Sequence, residues 1–275
     1  MKKLFESLWV IPLFIMATTV LAGEITKPSG SSQAPVVKKG DDKTTGHGSI
    51  AFLQASKAKK HLFLFVYEGK DEKTIAAQKI LESTMSKMTN RAQWVAVDRK
   101  DPAEKDLIDK YQLNTAPMPM VLVLAPNGVI TGGFRGDGLT EKQLQEAIAG
   151  PGLQKCLKAL QERKLVLLCV QNKATKSNDA AMQGVNDFKA DTRYAQSTEI
   201  VKIDPADGGE GKFLSQLQID PQAAEAVTAF LAPPRVALGV YTGATSKDAF
   251  VKALTDATVP SCGPGGCGPS GCGPQ

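Results

Sequence analysis

One stretch of this chain occurs twice, and its recurrence limits what the chain can fold into. Residues 124–136 and 231–243 align without a gap at an offset of 107 residues. Leu, Ala, Pro, Val and two Gly recur in place, and Phe134 corresponds to Tyr241. Each copy predicts a β-hairpin, with one strand on either side of a tight turn and a glycine at its exit. Two such hairpins predict two similar halves.

The repeat extends outward from the hairpins. The apolar run at residues 165–171 corresponds to the run at 61–67 at an offset of 104, and residues 200–204 correspond to 94–98 at an offset of 106. Repeat arrays of the solenoid type have periods of about 20–50 residues, so a period this long indicates a duplicated domain. A length of 275 residues agrees with two domains of about 100–150 residues each.

Within each half, the sequence predicts an α/β domain. Residues 61–67 are continuously apolar, as expected of a strand that is buried on both faces. Asp101-Pro102 predicts one helix start, and Thr140 with Gln143 three residues later predicts another. The predicted order is α-β-α-β-α-β-β-α, which places a central mixed sheet between flanking helices.

This order resembles the thioredoxin fold, and several landmarks in the first half agree with that family. Tyr111 and Leu113 precede a proline that comes before a predicted strand, and Asn127 is followed by Gly in the hairpin. The resemblance covers about 100 residues and implies a proline with a cis peptide bond that opens the third strand and faces the active site. Pro119 is the best match, with Pro117 as the alternative. In the second half Ala226 takes this place, so we expect the cis-proline feature to be lost there.

The same resemblance implies where redox cysteines would lie. Thioredoxins with redox activity carry Cys-x-x-Cys where the first strand passes to its helix, because the helix N-terminus lowers the pKa of the first thiol. In the first domain this position falls at Lys70, Asp71, Glu72 and Lys73, and in the second near residues 173–176. Neither segment contains cysteine, so we expect no dithiol exchange there and assign no catalytic residue. The lysines leave open either an anion site at each helix start or a solvated loop.

Two cysteines lie within the second domain. Cys156 occupies a core-facing position on the opening helix, and Cys169 lies in the buried strand in alignment with Phe65. Buried cysteines usually behave as small apolar residues. The alignment places them on adjacent elements, so a disulfide between them is conceivable, although spacing alone does not establish one.

The chain ends in three Cys-Gly-Pro units at a period of five residues, which contain Cys262, Cys267 and Cys272. Gly and Pro disfavour helix and central strand, so the sequence predicts an irregular, exposed arm. Thiolates could bind Cu(I), or Zn(II) with a fourth ligand from elsewhere. An odd number of thiols equally suits a cross-link between chains or to a partner, and a repeat without a dedicated role is the third alternative.

The N-terminus has the features of an export signal. A basic start is followed by an apolar run at residues 8–20 and by small residues that end at Ala22. We expect cleavage after Ala22 and a periplasmic or secreted location. An uncleaved anchor is the alternative, and it is the one route to membrane contact that the sequence offers.

The sequence thus predicts these segments: a signal peptide (1–22), a flexible linker (23–48), thioredoxin-like domains (49–150 and 153–258) and a Cys/Gly/Pro-rich tail (259–275). The Gly-Pro-Gly joint at 150–152 is short, so we expect the domains to touch.

Composition narrows the function further. A net charge of +5 comes from scattered basic residues, with no patch interleaved with aromatic side chains, so nucleic acid is not an expected partner. The motifs of serine hydrolases, P-loop nucleotide-binding proteins and zinc proteases are absent from the sequence. The leading hypothesis is an exported, non-redox adaptor or chaperone-like module that binds a partner protein of the cell envelope. The alternative is thiol-based copper handling or disulfide exchange through the tail.

Overall fold

The computed structural model describes residues 46–258, and these residues form two α/β domains. The elements of the first domain are α1 (His47–Lys57), β1 (His61–Tyr67), α2 (Glu72–Ser86), β2 (Ala92–Asp98), α3 (Lys105–Lys110), β3 (Met120–Leu124), β4 (Ile130–Arg135) and α4 (Glu141–Glu146). Those of the second are α5 (Pro151–Gln161), β5 (Leu165–Val170), α6 (Asn178–Ala190), β6 (Thr198–Ile203), α7 (Gly211–Gln216), β7 (Val227–Ala232), β8 (Val236–Thr242) and α8 (Lys247–Thr258). The predicted order of elements is confirmed in both halves.

Each domain contains a four-stranded mixed sheet. The strand order is β2-β1-β3-β4 in the first domain and β6-β5-β7-β8 in the second. The central strand β1 runs parallel to β2 and antiparallel to β3, and the hairpin of β3 and β4 closes the sheet. Strands β5 to β8 repeat these pairings. The predicted fold class, a central mixed sheet flanked by helices in two tandem domains, is therefore confirmed.

The central strands are apolar throughout because both faces of each sheet are covered. Alternate residues of a strand point to opposite faces. Phe63 and Phe65 of β1 pack with residues of α2 and α4, whereas Leu62 and Leu64 pack with residues of α1 and α3. Each of these four side chains is at most 1% exposed. Burial of one such side chain contributes about 1.5–3 kcal/mol, so these strands account for much of the core stability.

The helix starts that the sequence indicates carry side-chain caps. The Thr140 hydroxyl and the Gln143 side chain form a capping box at the start of α4. Asp101 accepts from the Ala103 amide and opens a short 3-10 turn that continues into α3, whose C-cap is Tyr111. Both predicted starts are confirmed, because these side chains satisfy amides that the first helical turn leaves without partners.

One buried glutamate in each domain anchors the opening helix, a role that no local sequence pattern predicts. Glu104 is 2% exposed and accepts from the Gly48 amide of α1 at 2.9 Å. Glu210 is also 2% exposed and accepts from the Gly152 and Leu153 amides of α5. A carboxylate at a helix N-terminus is favourable because it satisfies free amides and the helix dipole.

This anchoring changes one boundary predicted from composition. Residues 23–48 are predicted to be a flexible linker because they are mostly polar, but helix α1 begins at His47, within that segment. Gly46 and Gly48 lie so close to Glu104 that a Cβ atom on either glycine would come within 2.9 Å of its carboxylate. Glycine is therefore required at both positions so that the start of α1 can approach Glu104 closely. The amino-acid composition of the segment does not reveal this contact.

The two domains contact each other around the joint at residues 150–152. Ala125 and Val129 of the first domain pack with Leu153 and Leu157 of α5. Across the same boundary, the Asn127 side chain donates to the Gln154 carbonyl at 3.1 Å, the Gln161 side chain donates to the Ile130 carbonyl at 3.1 Å, and Lys212 pairs with Glu146 at 3.0 Å.

The predicted signal peptide, most of the predicted linker and the tail with Cys262, Cys267 and Cys272 lie outside the described residues. Between residues 46 and 258, none of the helices combines the length and apolar character that a membrane crossing requires.

Candidate functional site

The start of α2 forms one side of the candidate site in the first domain. Lys70, Asp71, Glu72 and Lys73 are all exposed, and Asp71 is the N-cap of the helix. Its side chain accepts from the Thr74 amide at 2.8 Å, and this hydrogen bonding to Thr74 holds the pKa of Asp71 below its ordinary value. A carboxylate therefore occupies the helix N-terminus, where a redox thioredoxin would hold a thiolate.

A cis peptide bond joins Met118 to Pro119 and lies beside this helix. The Pro119 carbonyl accepts from the Gly136 amide at 2.7 Å. A Cβ atom on Gly136 would lie 2.5 Å from Pro119 Cγ and 3.1 Å from Ala77 Cβ of α2. Pro119, the end of β4 and α2 thus pack too closely for any side chain at position 136, and this packing fixes the position of the cis bond.

The loop that leads to Pro119 is fixed by a half-buried arginine. The Arg99 guanidinium donates to the Asn114 carbonyl at 3.2 Å and to the Ala116 carbonyl at 2.9 Å, and it also pairs with Glu68. Glu68 also pairs with Lys100 at 2.7 Å. One guanidinium with its donors in a rigid fork can hold two carbonyls of the same loop, so the loop is ordered before any partner arrives.

The backbone of Met118 is unpaired in the part of the chain that the structure describes. Neither its N–H nor its C=O has a hydrogen-bond partner among residues 46–258, although its side chain packs against the core. Buried or half-buried backbone groups are normally paired with protein or water. The Met118 segment, residues 117–119, therefore offers one donor and one acceptor, both on Met118, of the kind that an extended peptide satisfies.

The equivalent position of the second domain, Glu225, has another segment of the chain beside it. Ala226 stands in the place of Pro119, and Gly243 donates to its carbonyl at 2.7 Å as Gly136 does in the first domain. Here, however, the Ala226 amide donates to the Lys176 carbonyl and the Lys176 amide donates to the Ala224 carbonyl, each at 2.9 Å. Lys176 thus forms a parallel bridge with Glu225 by bonding to the residues on either side of it, so the second domain places its own chain beside this position.

This bridge also corrects the predicted site of the second domain. Helix α6 begins at Asn178 after Ser177, so the counterpart of residues 70–73 is 176–179 and not 173–176. The loop before α6 is longer because Asn172 and Thr175 form a hydrogen-bonded turn, which a count from the strand alone ignores. Neither segment contains cysteine.

The two cysteines of the second domain are buried and free. The disulfide left open by the sequence is not formed, because Cys156 and Cys169 lie on opposite faces of the sheet. Cys156 packs with Val166 and Leu168, whereas Cys169 points with Leu167 to the other face. Burial raises the pKa of Cys156 far above its ordinary value and that of Cys169 to about 11, so both thiols stay protonated and unreactive at neutral pH. Among residues 46–258, no three His, Cys, Asp or Glu side chains converge on a metal site.

Strand order and connectivity define the class of both domains, which have the thioredoxin-like fold. No family model and no curated protein matches the chain. Among solved structures, the DsbH oxidoreductase has a TM-score of 0.30 at 15% identity, with 42% of this chain and 94% of that chain covered. The first two thioredoxin domains of Saccharomyces cerevisiae Eps1p have a TM-score of 0.30 at 11% identity, with 79% of this chain and 98% of that chain covered. Human ERp44 has a TM-score of 0.33 at 10% identity, with 82% of this chain and 60% of that chain covered. At these scores the likenesses carry no argument about function.

Proposed function

We propose that this protein is a non-redox binding module whose first domain holds an extended segment of a partner protein at Met118. The observation that carries the proposal is the difference between the domains. No segment of residues 46–258 forms a bridge with Met118, whereas in the second domain Lys176 forms a bridge with Glu225, the counterpart of Met118. The second domain then serves as a support for the first.

The proposed binding mode uses the backbone. An extended peptide that passes beside Met118 would donate to its carbonyl and accept from its amide, as in other cases of strand addition. Arg99 fixes the loop in advance, which lowers the entropy that is lost on binding. Since no cysteine lies at the start of α2, the partner would be held without a covalent bond and released by dissociation.

The cellular setting is part of the same proposal. The basic and apolar N-terminus supports export, and a protein of the cell envelope is the proposed partner, bound in an adaptor or chaperone-like role. A second candidate function is metal or disulfide chemistry at Cys262, Cys267 and Cys272. It is supported by the buried, protonated state of Cys156 and Cys169, which leaves thiol reactivity to the tail.

A pair of matched variants tests the binding site. Asp137 and Ala244 are exposed and stand directly after the glycines that contact Pro119 and Ala226. Asp137→Trp should cover the Met118 segment and weaken binding of carboxymethylated α-lactalbumin, a permanently unfolded probe, at least tenfold by fluorescence anisotropy. Ala244→Trp places the same ring at the equivalent position of the second domain and should alter binding less than twofold; Asp137→Ala removes the ion pair with Arg135 without adding a ring, and should also alter binding less than twofold. Equal effects of the two tryptophan variants would refute the assignment to the first domain, and so would unchanged binding by Asp137→Trp.

A further inference from the structure

A cavity of about 70 Å³ lies where the second domain meets the end of the first. It lies between α5, α7, the β7–β8 turn and the segment that precedes the joint. Apolar side chains form most of its wall: Ile148, Leu153, Leu157, Leu160, Phe213 and Leu231. A cavity needs about 10–15 Å³ to hold one water, so this space is several times larger than that minimum and has room for a short aliphatic chain.

The internal repeat explains why this space is open. In the first domain, Phe52 of α1 lies against the hairpin turn, where a Cβ atom on Gly128 would be 3.3 Å from its ring. The corresponding residues of the second domain are Cys156 and Arg235. A thiol replaces a phenyl ring and a guanidinium replaces a hydrogen, so the second domain has an unfilled space with a cation beside it.

The charges around the cavity leave Arg235 without a counter-ion in the described part of the chain. Lys212 and Glu146 also line the cavity, and they pair with each other at 3.0 Å. The Arg235 guanidinium has no ion pair or hydrogen bond with any of residues 46–258, and burial lowers its pKa. A half-buried charge without a partner is unfavourable, and a carboxylate is the group that best satisfies the guanidinium fork.

We propose that this Arg235 cavity binds a short aliphatic carboxylate, with its alkyl chain against the apolar wall and its carboxylate on Arg235. The site is separate from the Met118 segment and does not depend on the proposed function. Both parts of the ligand are specified by the lining, because the apolar wall selects an alkyl chain and the unpaired cation selects an anion. Acetate lacks the alkyl chain, and an alcohol or an alkylammonium ion lacks the negative charge.

Calorimetry with the full-length protein tests the assignment. Hexanoate and butanoate should bind to the wild type, whereas acetate, hexan-1-ol and hexylammonium should each bind at least tenfold more weakly than hexanoate. Arg235→Met keeps the length of the side chain but removes the charge, and it should weaken hexanoate at least tenfold with an unchanged circular dichroism spectrum. Cys156→Phe restores the residue of the first domain and should abolish binding by filling the cavity.

Three results would overturn the proposal. The first is the absence of any heat of binding with millimolar hexanoate. The second is equal affinity of the wild type for hexanoate and hexan-1-ol, and the third is equal affinity of Arg235→Met and the wild type for hexanoate. The Arg235→Met result stands even if Cys156→Phe fails to fold, because position 235 lies in a surface turn. Tighter binding of the dipeptide N-acetyl-Gly-Leu than of hexanoate would also overturn it, since the cavity would then take the C-terminus of a polypeptide.

Discussion

Glu210→Gln should destabilise the second domain more than Glu104→Gln destabilises the first, although the two side chains are equally buried. The Glu210 carboxylate accepts from two amides, those of Gly152 and Leu153. A glutamine keeps one acceptor but turns a donor toward the other amide. The variant therefore loses one charge-assisted hydrogen bond, worth about 1.5–3 kcal/mol, and part of a helix-dipole interaction of up to about 2 kcal/mol. The expected cost is about 2–4 kcal/mol.

Glu104 differs because one of its oxygens accepts from the Gly48 amide and the other has no partner in the described part of the chain. Glutamine retains that hydrogen bond and loses the charge, for an expected cost of about 0.5–1.5 kcal/mol. Native-state hydrogen exchange measures each domain separately, through the buried amides of β1 and β5. A cost for Glu104→Gln equal to or above that for Glu210→Gln would refute this account of how the opening helices are anchored.

Further predictions concern the titration of buried groups and the thiols. Burial and the charge of Arg91 lower the pKa of His61 to about 4 in the folded state, against 6.5 when unfolded. Unfolding therefore takes up a proton between these values, so stability is complete above pH 6.5 and falls by about 3 kcal/mol as the pH drops to 4. His61→Gln should flatten this dependence in urea titrations. Ellman's reagent should react with three thiols in the native protein and five in urea; a fourth fast native thiol would contradict the burial of Cys156 and Cys169. Replacing the three tail cysteines with serine should abolish Cu(I) uptake or cross-linking and leave the melting temperature unchanged, whereas a large fall would show that the tail is a structural element.

Much of the fold is predictable from the sequence because its signals are local. A strand covered on both faces must be apolar throughout, so β1 and β5 are visible as runs of apolar residues. Helix caps are also visible, because a capping box such as that of Thr140 and Gln143 involves residues only three positions apart in the sequence. The internal repeat adds further support, because an element predicted in one half is expected at the aligned position of the other half.

The features that the sequence did not reveal depend on contacts between distant residues. Glu104 lies in a polar segment and has the appearance of a solvated residue, but it accepts from an amide 56 residues away. The pairing of Lys176 with residues 224 and 226 uses only backbone atoms, so no side-chain pattern signals it. The exchange of Phe52 for Cys156 is visible in the aligned repeat, whereas the cavity it opens depends on packing in three dimensions.

The central claim is that the first domain binds extended chain through Met118 while the second domain occupies its own site. Hydrogen exchange of the full-length protein, followed by NMR with and without saturating carboxymethylated α-lactalbumin, tests it most directly. The account predicts that the probe slows exchange of the Met118 amide at least tenfold and changes that of the Ala226 amide, already bonded to Lys176, less than twofold. Protection at Ala226 and Lys176 without protection at Met118 would contradict it.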